Sequence, residues 1–425
     1  MKRNFHIRLK RAFLFALLLA LAPAAQPIIS QNSYTPRPRS EIRGVAAKGS
    51  PEEMIVAAID AIRAGRTQDA KATLDRLLEL EPNYRLAYLL RADLYAMRAM
   101  PLTTIGGGAN APADRLEDLR REAQVRIKHY LAPPPSQSIP ANLLTFGPEQ
   151  KYAVVVDVSA SRLYLFENHQ GEPRLVTDNY VTIGKLGAEK QREGDQRTPI
   201  GVYFVTGQMT RNQLDKTYGA QADLYGIGAW PISYPNEWDR HEGRTGHGIW
   251  LHGSPALTYA RPPQASNGCV VLTNPEMKKI ADYLQLGVTP VVITEHIDWV
   301  SHTEWKARQE QALAQINNWR SAWEKLDTAR YLGFYDQRFQ SEDGQSIQAW
   351  KRQKIAVNNS KQWAKVKLDD LSIFSTGGAS PLLVSSFSQE YQSNNLNNRM
   401  KKRLYWKQEN GNWRIVWEGV AKNGA

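Results

Sequence analysis

Cys269 is the single cysteine in 425 residues, and it follows His252 by 17 positions within the stretch HGIWLHGSPALTYARPPQASNGCVVLTN, His247 to Asn274. A thiol is a weak nucleophile until its proton is removed, and an imidazole is the side chain suited to remove it near neutral pH. A strand, a turn and a second strand between the two would set them side by side as an acyl-transfer pair. The flanking glycines fit that chemistry. Gly268 clears space for a substrate carbonyl beside the sulfur, and Gly253 lets the backbone turn so that its carbonyl can hold the imidazole. Spacing alone leaves a second reading open, with Cys269 a small buried hydrophobe and His252 a core histidine at a strand end.

His241, His247 and His252 fall close together and raise a metal site as a rival. On a regular strand 247 and 252 would face opposite ways, and no second cysteine or carboxylate pattern completes a tetrahedral set, so neither metal nor cofactor is expected. The glycines of LTTIGGGA (102–109) lack the Lys-Ser/Thr ending of a phosphate loop.

His252-Gly253 followed by Ser266-Asn267-Gly268-Cys269-Val270 resembles the signature of the YkuD-type L,D-transpeptidase catalytic domain. Two upstream segments resemble the same family in the same order. Tyr152–Asp157 with Arg162–Phe166 is similar to its first hairpin, and Thr198-Pro199-Ile200-Gly201 to its Thr-Pro-x-Gly strand entry. With three motifs in order, the catalytic reading outweighs the buried-cysteine one.

The resemblance implies that His252 takes the Cys269 proton and that the thiolate attacks a peptide carbonyl in a cell-wall stem peptide, forming a thioester. Gly253 would orient the imidazole. Backbone N–H groups near Gly268 and Cys269 would hold the oxyanion, with Ser266 and Asn267 supporting the loop. Passing the acyl group to an amine of a neighbouring stem makes a transpeptidase, and passing it to water makes an L,D-carboxypeptidase. A non-catalytic wall-binding scaffold is a third possibility, against which the intact Cys269, His252 and Gly268 argue.

Two positions depart from the family pattern. Asn267 stands where histidine is usual, and Val271 where an arginine often lies, which removes a carboxylate clamp. Arg211, Arg240, Arg244 and Arg261 are candidates to replace it. Between Gly207 and Gly246 a long stretch with Tyr218, Tyr225, Trp230, Tyr234 and Trp238 reads as a structureless lid or binding loop, from which Trp230 is carried forward as a substrate-facing candidate. Packing at the base of the loop is the other reading of these rings.

The remainder of the chain must position these residues. Residues 1–25 carry five basic side chains and the apolar run AFLFALLLALA, the pattern of a signal peptide, so the chain is expected to be exported to the periplasm or cell envelope. A lone cysteine in an oxidising compartment suggests a functional thiol or an intermolecular bridge. Loss of the leader lowers the net charge from +12 to +7, which suits an anionic wall polymer or membrane surface and is not the concentrated basic stripe of a nucleic-acid binder.

Residues 26–50 read as a flexible tether. Residues 51–130 show apolar residues at helical spacing and resemble tetratricopeptide repeats over about one and a half repeat lengths, too few to stand alone, so docking on the next domain, a protein partner or dimerisation is expected. Residues 131–150, with Pro133-Pro134-Pro135, read as a stiff linker, and 151–296 as the mainly β catalytic sandwich. An amphipathic helical connector is expected over 297–324. Residues 325–425 resemble a nuclear-transport-factor-two-like domain, a cone-shaped α+β fold found behind the catalytic domain in some cell-shape-determining L,D-peptidases.

Overall fold

Ser50 opens the first helix: its side chain accepts the Glu53 N–H, and Pro51 occupies the first turn, where a missing N–H costs nothing. The structure, a computed structural model, describes residues 49–421 apart from Ala379 and Asn410. The expected signal peptide, and the tether up to Lys48, lie outside the described residues. Helices α1 (Pro51–Arg63), α2 (Thr67–Leu80) and α3 (Arg85–Ala96) follow as hairpins, and α4 (Ala113–Leu131) returns against α1 and α3. Ile55, Ile59, Leu74, Leu77, Leu86 and Leu90 supply the shared core. The helical region is therefore present, while its tetratricopeptide-like character rests on sequence pattern alone. The same core takes in Tyr180, Tyr259 and Ala260 of the next domain, so the bundle is docked.

The expected linker is a correction. Residues 139–145 form β1 (Ile139–Pro140) and β2 (Leu143–Thr145), and β2 joins the sheet of the C-terminal domain beside Ile373 and Phe374. Strands of two or three residues carry no periodicity from which to read them.

The domain expected over 151–296 opens with β3 (Tyr152–Asp157), β4 (Arg162–His169), β5 (Glu172–Tyr180), β6 (Ile183–Gly184) and β7 (Gly201–Phe204). The insertion follows, and it is built rather than structureless: β8 (Met209–Thr210), α5 (Arg211–Tyr218), a 3-10 helix (Gly219–Tyr225), β9 (Gly228–Pro231) and α6 (Glu237–His241). Both α5 and α6 carry capping boxes, at Thr210/Gln213 and Asn236/Asp239, which explains why this polar stretch winds into helix. Then come β10 (Trp250–His252), β11 (Gln264–Ser266), β12 (Val270–Val271), α7 (Asn274–Ala281) and β13 (Pro290–Thr294).

A five-stranded sheet, β5-β4-β3-β13-β7, packs on a four-stranded one, β12-β10-β9-β8. β3 reads as an unbroken apolar run because both of its faces are buried. Val154 and Val156 point into the core between the sheets, and Ala153 and Val155 into a second core shared with Phe374, Val384 and Tyr405 of the C-terminal domain.

β14 (Trp299–Val300) pairs with β1, and α8 (His302–Glu324) follows. The expected connector over 297–324 is a second correction, since α8 is integral to the C-terminal domain. Its Trp305, Ile316, Trp319 and Trp323 enter that core, and Trp305 Nε1 donates to the Leu143 carbonyl at 2.7 Å. The domain is completed by α9 (Thr328–Leu332), β15 (Tyr335–Ser341), α10 (Ile347–Asn359), β16 (Ala364–Ser375), β17 (Leu382–Ser393), β18 (Asn397–Glu409) and β19 (Asn412–Val420). These strands and β2 form one six-stranded sheet.

Candidate active site

β10 and β12 run parallel, with Leu251 opposite Val270 and His252 opposite Val271. Leu251 and Val270 point into the core between the sheets. Because side chains alternate along a strand, Trp250 and His252 point the other way, and the register one step back sets Cys269 beside Trp250 on that same outer face. The strand pair thus brings the two chemically distinctive residues of the sequence to one face.

His252 is only 3% exposed, and its Nδ1 lies 2.7 Å from the Gly253 carbonyl. A carbonyl can only accept, so Nδ1 carries the proton and Nε2 is left as the basic nitrogen. Burial pushes the imidazole down to about 4, the Gly253 bond opposing and the Arg261 charge assisting. Cys269 Sγ donates to the Gly248 carbonyl at 3.3 Å. Burial pushes the thiol up to about 11, partly offset by the Trp250 N–H and the charges of Arg261 and Lys190. At neutral pH the resting pair is therefore a thiol and a neutral imidazole.

The loop before the thiol is braced on both sides. Ser266 Oγ accepts the Gly268 N–H at 3.1 Å and donates to the Cys269 carbonyl at 2.7 Å. The Gly268 N–H is thus committed to Ser266, a correction to the expectation that it serves the oxyanion. Gly268 has φ +124°, and a Cβ there would lie 2.6 Å from the Arg197 carbonyl oxygen. Thr198, fully buried, donates to the Gly268 carbonyl at 3.0 Å and accepts the Gly184 N–H at 2.9 Å, which gives the Thr-Pro segment its structural purpose. Asn267 is exposed at the apex of the loop.

Gly253 is equally enclosed, since a Cβ there would meet Asn274 Oδ1 at 2.1 Å. Asn274 also accepts from the Ile227 N–H at 3.2 Å and donates to the Ser254 carbonyl at 2.9 Å, so the first residue of α7 holds the turn that carries the imidazole's acceptor.

Of the four arginines, Arg261 alone is placed to act on the pair, its charge reaching both Cys269 and His252. Its guanidinium donates to the Ala265 carbonyl. Arg211 is tied to Asp215 at 2.9 Å and Asp223 at 3.5 Å, Arg244 to buried Asp239 at 2.9 Å, and exposed Arg240 to the Pro235 carbonyl. Trp230 is a further correction: at 4% exposure it is part of the core between the sheets, because β9 directs it inward with Leu251.

The aromatic that does reach the site is Tyr225. Its ring lies edge-on to His252 at 5.3 Å and 4.8 Å from Trp250, with Tyr218 behind it at 5.4 Å. Burial raises its phenol above the ordinary value, and the Cys269 charge adds to that rise. Trp250, Thr198 and Asn274 were not singled out as site residues from sequence, though the Thr-Pro motif carried a signal for Thr198; Tyr225 was named among the insertion aromatics, but Trp230 was the one carried forward. The His241 ring lies tilted against Trp238 at 4.9 Å, and exposed His247 lies 3.5 Å from Glu193, each apart from the His252 contacts. Among the described residues no group of three or more His, Cys, Asp or Glu side chains converges.

Residues 151–293 match the L,D-transpeptidase catalytic domain family, YkuD, and residues 311–419 match the Cds6 C-terminal NTF2-like domain family. Among solved structures the chain is similar to Bd1075 of Bdellovibrio bacteriovorus, at 29% identity over 67% of this chain and 98% of that one, with a TM-score of 0.58. It is also similar to the helical cell shape determining protein Pgp2 of Campylobacter jejuni, at 26% identity over 65% of this chain and 95% of that one, with a TM-score of 0.54. Comparison with the curated proteins found no match.

Proposed function

For a chain that carries a YkuD-type L,D-transpeptidase catalytic domain followed by a Cds6-type NTF2-like domain, we propose cysteine-dependent remodelling of peptidoglycan stem peptides at the bond before a terminal D-residue. The observation that carries this reading is the shared face of Cys269 and His252, with Nδ1 fixed on the Gly253 carbonyl so that Nε2 is the base. His252 Nε2 takes the Sγ proton as sulfur bonds to the carbonyl carbon, and the Cys269 N–H supports the oxyanion. Collapse breaks the C–N bond, and the departing amine takes the proton from His252. The thioester is then attacked by an acceptor whose proton passes to Nε2 and on to the thiolate.

Water as that acceptor, an L,D-carboxypeptidase reaction giving tripeptide, is favoured by the two-domain architecture that this chain shares with a helical cell shape determining protein. An amine acceptor, giving a cross-link, is the second reading, favoured by the catalytic-domain match itself. Arg261 takes the place of the arginine absent at Val271 as the group that recognises the substrate carboxylate. Action on the wall, together with the apolar run expected to be a signal peptide, supports a location in the periplasm or cell envelope and a part in cell shape.

The test is mass spectrometry of disaccharide-tetrapeptide incubated with the protein and with Cys269→Ala. Tripeptide without dimer supports hydrolysis, and a cross-linked dimer moves the assignment to the transpeptidase. Identical product profiles for the wild type and the variant would overturn both in favour of the wall-binding scaffold.

A further inference from the structure

The catalytic-domain match begins at residue 151, yet the helical bundle before it packs on the chain segment between His252 and the thiol. On the loop between His252 and Cys269, the Tyr259 N–H donates to the Asn83 carbonyl at 3.3 Å, Asn83 Nδ2 donates to the Ala256 carbonyl at 3.4 Å, and the rings of Tyr84 and Tyr259 lie 4.6 Å apart. Tyr259 and Ala260 are buried in the bundle's own core rather than in that of the catalytic domain.

From α4, the buried Arg126 guanidinium lies 3.7 Å from the centre of the Tyr180 ring. The Tyr180 hydroxyl in turn donates to the Arg261 carbonyl at 2.9 Å, and Thr182 Oγ1 donates to the same oxygen at 3.0 Å. Arg126 is held by Glu122 at 2.9 Å and by Glu52, which also binds Arg162 at 2.9 Å. Arg162 reaches Asp178 at 3.1 Å, and Asp178 is 2.6 Å from His129 of α4. On the far side of the thiol, the charges of Arg126 and Arg162 act on Glu276 in the first turn of α7.

We propose that the helical bundle is a positioning element of the active site, which holds Arg261 through Tyr180 and the 254–261 loop so that its guanidinium meets the carboxylate of the stem peptide beside Cys269. This rests on the stem-peptide reading above. A carboxylate clamp needs a fixed guanidinium, because a loosely held side chain loses on ordering much of what its hydrogen bonds contribute. In this chain the clamp is carried by a loop, and the bundle supplies the rigid support that a strand position such as 271 would have supplied by itself.

The experiment is steady-state kinetics of the full chain on disaccharide-tetrapeptide with a free or an amidated terminal carboxylate. Tyr180→Phe keeps the ring under Arg126 and removes the bond to the Arg261 carbonyl. Tyr84→Leu removes the bundle's ring from Tyr259, and Tyr84→Phe restores it. The expected result is a rise in KM of about threefold to tenfold for Tyr180→Phe and Tyr84→Leu, with kcat changed less than about twofold, absent with the amide and absent in Tyr84→Phe. Unchanged KM in both variants while the wild type turns over overturns the proposal. If the wild type fails to process the peptide, it is the reading of the substrate that fails. The proposal is then read by iodoacetamide alkylation of Cys269 against pH: displacement of the Arg261 charge from its place beside the thiol moves the midpoint upward in both variants, and an unmoved midpoint overturns it.

Discussion

Burial holds the His252 imidazole down to about 4 and the Cys269 thiol up to about 11, so that both are neutral across the physiological range. The imidazole must be unprotonated to accept the thiol proton, and it is so above about 4 rather than above its usual 6.5. The acid limb of kcat/KM is accordingly expected near pH 4 to 5, with a plateau through neutrality. A limb near 6.5 would mean that His252 is solvated as an ordinary histidine. The placement of His252 on the Gly253 carbonyl, on a strand beside that of Cys269, was legible in the sequence because their neighbours formed a motif. Which arginine and which aromatic face the site was not legible. Arg211, Arg240, Arg244 and Arg261 differ only in the carboxylates and carbonyls that the fold brings to them, and Trp230 and Tyr225 differ only in the face from which they project.

The strand entry at Thr198 shows what a short motif does at the scale of elements. Its hydroxyl joins the Gly184 N–H of β6 to the Gly268 carbonyl, tying two loops that meet behind the nucleophile. Thr198→Val keeps the shape and leaves both groups unmatched in a buried place, at a cost of about 1–3 kcal/mol. We expect a lower urea midpoint together with a fall in kcat, and recovery of both in Thr198→Ser; an unchanged kcat would make the bridge purely structural. The sequence disclosed elements where period or capping chemistry was strong, as in α1 and at the Thr273 cap of α7, where Thr273 Oγ1 accepts the Glu276 N–H at 3.3 Å. It concealed β1, β2 and β8, too short to show alternation, and it made the insertion look irregular because α5 and α6 are short and polar.

For the whole molecule, the catalytic and C-terminal domains are joined by chemistry that neither segment announces alone. Arg403 of β18 binds Glu237 of α6 at 2.9 Å, the Tyr405 hydroxyl donates to the same carboxylate at 2.9 Å, and Trp238 stacks on Tyr405 at 5.9 Å. Arg403→Met removes the charge opposite a buried carboxylate and is expected to cost about 3–5 kcal/mol in urea unfolding, with much of the loss recovered when Glu237→Leu is added. A double variant no more stable than Arg403→Met would remove the basis for this expectation. The order of domains was legible from composition and motifs. Their joints were not, because a connector helix with four buried tryptophan and isoleucine side chains and a linker with two strands find their partners more than a hundred residues away, at Leu143, Phe374 and Tyr405. The most direct test of the central claim is intact-protein mass spectrometry of the full chain quenched in acid during turnover of disaccharide-tetrapeptide. The account predicts an adduct with the mass of the disaccharide-tripeptide acyl group, mapped to Cys269, lost in neutral hydroxylamine and absent from Cys269→Ala. Turnover with no adduct at Cys269, or turnover that persists in the variant, would contradict it.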